Sequence, residues 1–386
     1  MKIAIDSLPL LGQAGGRSYL NSVVKYLFKI DRLDHYSLFF RTPFRKSVYF
    51  RSLLKEPSVT DTFNFPDNVS VHKIFIPNRV LEYLWSYNNF YIPLIEKMFG
   101  NPDVYFATLY FSPVFKKCPI VSVVYDITTM KYDGYKEHRE IFDLRLKNTI
   151  KRSKYLISIS EYTKNDLCKY YDVQPDRIVV IPLAADEIFN MIEDKERIIA
   201  VLRKYKIDER YILYVGNLGP HKNLHRLVNV FEKLKRVHGI PHKLVLCGKK
   251  YWGQEIIETI HRLNLQEEIL VLDYIPDEDL PYIYSGAEMF VFISLYEGFG
   301  LPVVEAMACG VPVIASNTTS IPEVVGDAGI LVNPLNEEEI LTAILKVLND
   351  RQLKKELGLK GINRAKTFSW EKTARETLEV FKRAIQ

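Results

Sequence analysis

Four short segments concentrate residues whose types and spacing suit chemistry, and each follows a run that reads as a strand. The densest is Leu295-Tyr296-Glu297-Gly298-Phe299-Gly300-Leu301-Pro302-Val303-Val304-Glu305. Pro302 suits the first turn of a helix, where its missing N–H is no loss. Gly298 and Gly300 let the backbone turn sharply and approach a ligand closely. The free N–H groups of Gly300 and Leu301 would then point outward with the positive end of the helix dipole, an arrangement that binds phosphate. Glu305 lies about one turn further on. A phosphate would repel its carboxylate, so ribose hydroxyls are its expected partners. Glu297, at the strand end, could accept hydrogen bonds from a sugar. The plainer alternative is a tight strand-to-helix turn shaped by two glycines. They do not complete a GxGxxG fingerprint, because residue 303 is Val, which leaves a dinucleotide site poorly supported.

The other three segments are sparser. Val215-Gly216-Asn217-Leu218-Gly219-Pro220-His221-Lys222-Asn223 places a cation, Lys222, at the mouth of the next helix, where a diphosphate would find it. A solvated surface lysine is the bland alternative. Ala14-Gly15-Gly16-Arg17-Ser18-Tyr19 again opens a helix with glycines, as an anion or sugar site or as an ordinary turn. Tyr125-Asp126-Ile127-Thr128 puts polar groups at a strand end.

The elements that must position these loops are strands alternating with helices. Strands are expected at Lys2–Asp6, Tyr36–Arg41, Val69–Ile76, Val104–Ala107, Ile120–Tyr125, Tyr155–Ser160 and Ile178–Pro182. A charged stretch, Glu193–Lys206, precedes a second series at Tyr211–Val215, Lys243–Cys247, Ile269–Asp273, Met289–Ser294, Val313–Ala315 and Ile330–Val332. Helical periodicity fills gaps such as Ser18–Ile30, Glu137–Lys151, Leu224–His238, Pro302–Cys309 and Glu337–Asn349. This alternation predicts α/β architecture with two Rossmann-like, doubly wound parallel sheets. Ligands of such sheets sit outside the carboxyl ends of the strands, so two domains facing each other would form an interdomain cleft. The expected division is residues 1–186 and 187–369, and the last helix, Trp370–Ile385, carries no strand partner of its own.

Composition narrows the class. The 386 residues suit two domains, and 47% hydrophobic with 26% charged is a globular balance. No run of about 18 apolar residues would cross a membrane. The chain begins directly in a strand without a signal-peptide core, which sets the expectation of a cytoplasmic protein. Cys118, Cys168, Cys247 and Cys309 are too scattered for a zinc site or a disulfide framework, and they read as small buried residues. Residues 1–186 hold 26 Lys and Arg against 19 Asp and Glu, whereas residues 187–386 hold 26 against 28. The basic excess of the first half could meet nucleic acid, an anionic membrane or a phosphorylated substrate, or be a solvated face.

Taken together, the four segments resemble the retaining nucleotide-sugar glycosyltransferases of family 4, which have the GT-B fold. Glu297-x7-Glu305 resembles that family's paired-glutamate motif, and Gly216 to Asn223 its phosphate loop. Ser160-Glu161-Tyr162, Pro182 to Asp186 and Ser320 to Gly329 follow in the family's usual order. The likeness spans nearly the whole chain and is sharpest from Glu297 to Gly329. It is nearest to the mannosyltransferase-like group acting on surface polysaccharides.

The resemblance implies roles by position. Donor binding would fall to Gly16, Gly216, Asn217, His221, Lys222, Phe299, Gly300, Leu301 and Glu305. Lys222 would hold the diphosphate, helped by the backbone at Gly300 and Leu301, and Glu305 the ribose. Glu297, Tyr125 and Asp126 would form the catalytic set, with Glu297 on the transferred sugar. No metal and no other cofactor is implied, since Lys222 and the helix N-terminus would neutralise the leaving diphosphate. The reaction would stay on one face of the sugar. A donor phosphate oxygen would take the acceptor proton, and the anomeric configuration would be retained. The final helix would cross back onto the first domain. Three positions depart from the pattern: Tyr125 stands where the family usually has His, and Asn217 and His221 stand where it often has Arg. The phosphate loop would then rely on Lys222, with His221 as a second cation when protonated and Arg17 as a further candidate.

The first domain would bind the acceptor. Its basic excess and its eleven aromatic residues between Tyr83 and Phe115 suit a lipid-diphosphate-linked saccharide at an anionic membrane surface, although the same rings would also fill a core. GDP-mannose is the expected donor, by resemblance alone, with UDP-hexoses open. A nucleotide-sugar epimerase of related fold is the nearest rival, but it would show more acid–base residues. A nucleic-acid-binding module lacks a motif.

Overall fold

The computed structural model describes the chain except residues 12–14, 42–64, 75–79, 82, 88–89, 92, 111 and 250–252; of residues 11, 15–18, 41 and 95 it describes the backbone alone. Ala14, Phe75, Ile76 and Phe111 therefore lie outside the described residues, as does the Arg17 side chain. The chain divides into one unit of Met1–Pro182 with Trp370–Gln386, and a second of Leu183–Ser369. The break falls four residues before the expected one, at the end of Pro182.

In the first unit, β-branched and aromatic runs become β1 (Lys2–Asp6), β2 (His35–Arg41), β3 (Val69–Ile74), β4 (Val104–Ala107), β5 (Ile120–Val124), β6 (Ser153–Ser158) and β7 (Ile178–Val180). They form a parallel sheet in the order β3-β2-β1-β4-β5-β6-β7. In the second unit, β8 (Tyr211–Val215), β9 (Lys243–Cys247), β10 (Ile269–Leu272), β11 (Met289–Phe292), β12 (Val313–Ser316) and β13 (Gly329–Val332) are ordered β10-β9-β8-β11-β12-β13, also parallel. Every residue of β4, β5, β11 and β12 is buried, as expected of strands covered on both faces by helices. Both orders reverse direction next to the first strand of the unit: between β1 and β4, and between β8 and β11. In doubly wound sheets the loops at such a switch point open the crevice where ligands bind.

The last helix, Trp370–Ile385, belongs to the first unit. Trp370 lies edge-on to Tyr19 of the helix Gly15–Ile30 at 6.2 Å, and Phe381 lies edge-on to Phe106 of β4 at 5.1 Å. Thr373 Oγ1 donates to the Pro182 carbonyl at 2.7 Å and fastens the helix to the end of that unit. Helices outside the expected pattern include Glu161–Tyr171, Ile321–Val325 and Arg351–Ala365. The first is started by Ser160, whose side chain accepts from Thr163 N at 3.1 Å.

The aromatic stretch of the first unit divides. Trp85, Phe99, Tyr105 and Phe106 are buried, with Phe99 4.5 Å from Phe39 and 5.3 Å from Tyr105. Tyr83, Tyr87 and Phe90 are 63%, 62% and 57% exposed, alongside exposed Leu94 and Met98.

Candidate functional site

The loop after β8 is shaped by backbone that only glycine adopts easily. Gly216 has φ +149°, and Gly248 at the end of β9 has φ +151°. The two backbones come so close that a Cβ on Gly248 would lie 1.8 Å from the Gly216 carbonyl oxygen. Tyr214 donates its hydroxyl to the Asn217 carbonyl at 2.9 Å, and the Asn217 side chain accepts from Gly219 N at 3.3 Å. A single 3-10 turn, Pro220–Lys222, then ends in Asn223 with φ +61°, a conformation Asn tolerates better than most residues.

That loop is stitched to the one after β11. Leu295 N donates to the His221 carbonyl at 2.8 Å. Asn223 Nδ2 donates to the Ile293 carbonyl at 3.1 Å and the Pro334 carbonyl at 2.7 Å. The two side chains singled out for chemistry meet across this seam. Lys222 Nζ lies 2.5 Å from Glu297 Oε1, with side-chain exposures of only 11% and 12%. The ammonium also lies 5.4 Å from the centre of the Phe292 ring. Glu297 is braced from behind: its N–H donates to Thr319 Oγ1 at 3.2 Å, and Ser320 Oγ donates to its carbonyl at 3.0 Å.

Gly300 follows at φ +100° and caps the helix Leu301–Ala308, with Pro302 in its first turn. A Cβ there would fall 2.6 Å from Ile321 Cδ1, a side-chain end that can move aside, so the residue is fixed chiefly by its backbone. Phe299 is buried edge-on to Phe368 at 5.6 Å, which leaves its backbone rather than its ring for any ligand. Glu305 accepts a hydrogen bond from Tyr284 at 2.9 Å. Burial pushes the Glu305 carboxyl up to about 7, the Tyr284 bond opposes the rise, and the charges of Asp277 and Asp186 add to it.

The charge of His221 is set by its surroundings. Burial, with the Lys222 charge beside it, drives the His221 imidazole down to about 3. The buried ring disfavours the charged form, because burial strips the hydration that would stabilise it and the Lys222 charge repels it. In the ligand-free loop the permanent positive charge therefore rests on Lys222 rather than on His221.

The first-unit candidates have different partners. Gly16 is the second residue of the helix Gly15–Ile30, which follows β1. The Tyr125 hydroxyl donates to the Thr108 carbonyl at 3.0 Å, and its ring is edge-on to Tyr19 at 5.4 Å. Tyr125 thus directs its hydroxyl hydrogen into its own unit. The Asp126 side chain accepts from Thr128 N at 2.7 Å, in the turn that leads into the short helix Thr128–Lys131. The Tyr110 hydroxyl accepts from the N–H groups of Tyr125 and Asp126 and donates to the Asp126 carbonyl at 3.0 Å.

Tyr110, Thr319 and Ser320 hold backbone at these candidates; the sequence marks Ser320 only as the start of a family-like run and Tyr110 only as one of the aromatic residues, and gives Thr319 no signal. Each acts over a separation of 15 residues or more, with no motif linking donor to acceptor. Asn223, which opens a helix directly after Lys222, carried a usable local signal. Among the described residues, no three His, Cys, Asp or Glu side chains gather as a metal site, and no helix is long and apolar enough to cross a membrane.

Comparison with known proteins places this geometry. Residues 194–364 match the model "Glycosyl transferases group 1" and residues 41–187 match "Glycosyltransferase Family 4". The O-antigen chain mannosyltransferase B of Escherichia coli is 34% identical over 266 residues, 68% of this chain and 70% of that protein. The O-antigen chain mannosyltransferase RfbU of Salmonella typhimurium is 28% identical over 272 residues, 70% of this chain and 72% of that protein. Among solved structures, HepE of Anabaena in complex with UDP-glucose superposes with a TM-score of 0.72 at 18% identity, covering 99% of both chains.

Proposed function

This chain belongs to the group 1 and family 4 glycosyltransferases and has their GT-B fold, and from that premise we propose that it moves a mannosyl group from GDP-mannose to a saccharide acceptor in cell-surface polysaccharide or glycolipid synthesis. The observation that carries the donor site is the Lys222–Glu297 pair at the β8–β11 switch point, beside the capped helix at Gly300. Lys222 and the N–H groups of Gly300 and Leu301 would neutralise the leaving diphosphate, doing without a metal ion the charge work a divalent cation does elsewhere. Glu305, once deprotonated, would accept from the ribose hydroxyls, and Glu297 from hydroxyls of the transferred sugar. A donor phosphate oxygen would take the acceptor proton on the face the nucleotide leaves, which retains the anomeric configuration. The mannosyl and O-antigen reading leans on the two bacterial relatives, both named as O-antigen mannosyltransferases. A UDP-hexose is the second reading, favoured by the UDP-glucose complex of HepE.

The acceptor is proposed to be a lipid-diphosphate-linked saccharide, bound by the first unit at the inner face of the cell membrane. Exposed Tyr83, Tyr87, Phe90, Leu94 and Met98 offer apolar surface to lipid, and the first half's Lys and Arg excess offers charge to anionic headgroups. Flotation with anionic liposomes at low salt should retain the protein, and Tyr83→Ser with Phe90→Ser should release it. Failure of the wild type to float would remove the membrane from the proposal.

The donor is tested by thermal shift against GDP, UDP and their hexose conjugates. A ligand at about a hundred times its dissociation constant adds about 2.7 kcal/mol of stability. GDP and GDP-mannose should raise the melting temperature well beyond UDP and UDP-glucose. A larger shift with the uridine series would replace the donor, and no shift with any nucleotide would overturn the site.

A further inference from the structure

The pair that defines the site also occupies it. We infer that Glu297 and the donor diphosphate compete for Lys222, so that the bare nucleoside diphosphate left after transfer is held more weakly than the donor and leaves as the Lys222–Glu297 pair re-forms. This deepens the donor-site reading above and rests on it.

Four features lead to this exchange. At 2.5 Å, with side-chain exposures of 11% and 12%, the two charges neutralise each other out of water, where leaving one unpaired is costly. The main chains on both sides are fixed by the bonds from Leu295 N to the His221 carbonyl, from Glu297 N to Thr319 and from Ser320 to the Glu297 carbonyl. Partner exchange is thus a movement of two side chains on a fixed frame. Within Gly216–Asn223 Lys222 is the one permanently charged side chain, since Asn217 is uncharged and burial pushes the His221 imidazole down. Finally, what Glu297 gains differs between ligands. When Lys222 turns to the diphosphate of an intact donor, sugar hydroxyls can donate to the released carboxylate. When only the nucleoside diphosphate remains, nothing replaces the ammonium, and an unpaired carboxylate faces the diphosphate. The weakening falls on the product and spares the substrate.

The test is titration calorimetry with GDP, and with UDP in parallel, on wild type, Glu297→Gln, Lys222→Met and the double variant. Gln keeps the shape and removes the charge. Glu297→Gln should bind the bare nucleotide about tenfold more tightly than wild type, the lower range for releasing one partner from a close charge pair. In the Lys222→Met background the same change should bring a clearly smaller gain, because the competed cation is gone and only repulsion between carboxylate and diphosphate is relieved. Equal or weaker binding by Glu297→Gln overturns the inference. So does an equal gain in both backgrounds, which would be plain charge repulsion between carboxylate and diphosphate. If neither nucleotide binds wild type or Glu297→Gln, the donor-site reading itself fails. Wild type alone gives a second test that needs no variant: the sugar conjugate must bind more tightly than the bare nucleotide. An inverted order also overturns the inference.

Discussion

After β5 in the first unit, the Tyr125 hydroxyl donates to the Thr108 carbonyl and the Asp126 carboxylate accepts from Thr128 N. After β8 and β11 in the second unit, Lys222 and Glu297 have each other, and the backbone around them is held by other residues: Asn223, Thr319 and Ser320. Both places are polar strand ends that invite a catalytic reading. The difference lies in what a ligand would have to displace. At Tyr125 and Asp126 it would compete with bonds that shape the turn itself, so binding would disturb the fold locally. At Lys222 and Glu297 it would compete only with a pairing between two side chain ends, and the loops would stay where they are. A side chain whose backbone is fixed by its neighbours is free to serve a ligand, whereas one that fixes backbone is not. The switch point adds to this contrast. Lys222 and Glu297 flank it in their sheet, while Tyr125 stands one strand away from the β1–β4 switch in its own.

The widest separation between the two places should come from Lys222. Lys222→Met is expected to lower kcat/KM about 100- to 1000-fold, the range seen when one preorganised partner of developing charge is removed. It also leaves Glu297 without its cation, so the melting temperature should fall. Transfer of labelled sugar from the nucleotide donor gives the first reading and a thermal melt the second. Activity retained within tenfold would mean that the second unit's site is not organised around this cation, and the contrast would lose its stronger half.

Glu305 sharpens the comparison through pH. Its carboxyl holds its proton up to about 7 in the folded chain, because burial disfavours the charge. An unfolded glutamate releases its proton near 4.3. The folded state therefore binds the proton more tightly, and stability from this group is full below the unfolded value and is lost as pH rises through about 7. Glu305→Gln removes that loss. Relative to wild type the variant should gain stability between about pH 5 and about pH 8, by an amount of the order of 2 kcal/mol, read as the difference in melting temperature at the two values. Nucleotide binding should move the opposite way. Wild-type affinity should improve as pH rises through this range and the carboxylate forms, and Glu305→Gln should lose that improvement together with some affinity. Parallel pH profiles for the two proteins would remove Glu305 from the nucleotide site.

Much of this site could be read from the sequence, because its loops follow strong strand signals. Tyr211–Val215 and Lys243–Cys247 appear where their β-branched and aromatic runs place them, and Gly216, Gly300 and Pro302 mark backbone that few other residues allow. The helix Arg351–Ala365 escaped notice for a physical reason. It packs through Gly358 and Gly361 against Gly310 and Met307, so glycines take two of its four buried positions, beside Leu357 and Ala365, and interrupt the apolar stripe that would normally show. The Lys222–Glu297 contact joins residues 75 apart, and only the finished sheet brings them together. Whether His221 is protonated depends on burial, which the loop sequence does not carry. The acceptor of the Tyr125 hydroxyl is likewise invisible in the sequence, because the Thr108 carbonyl lies on a neighbouring strand end.

The smallest expected effect is at Tyr125, and it examines the first unit's half of the contrast. Tyr125→Phe removes one hydroxyl and keeps the ring that lies edge-on to Tyr19. The lost bond should cost about 1 kcal/mol, since the Thr108 carbonyl is left short of a partner. The turn itself should persist, because the Tyr110 hydroxyl still receives the N–H groups of residues 125 and 126. kcat/KM should therefore stay within about twofold of wild type, a factor that matches only a few tenths of a kcal/mol in the transition state. Removing the Tyr110 hydroxyl should do more, because Tyr110→Phe releases both N–H groups and the Asp126 carbonyl at once. A thermal melt and steady-state transfer rates on both variants separate a shaping role from a chemical one. If Tyr125→Phe kept its melting temperature and lost turnover on the scale of Lys222→Met, the hydroxyl would be meeting substrate. The distinction between groups that hold backbone and groups that serve a ligand would then fail where it is drawn most sharply.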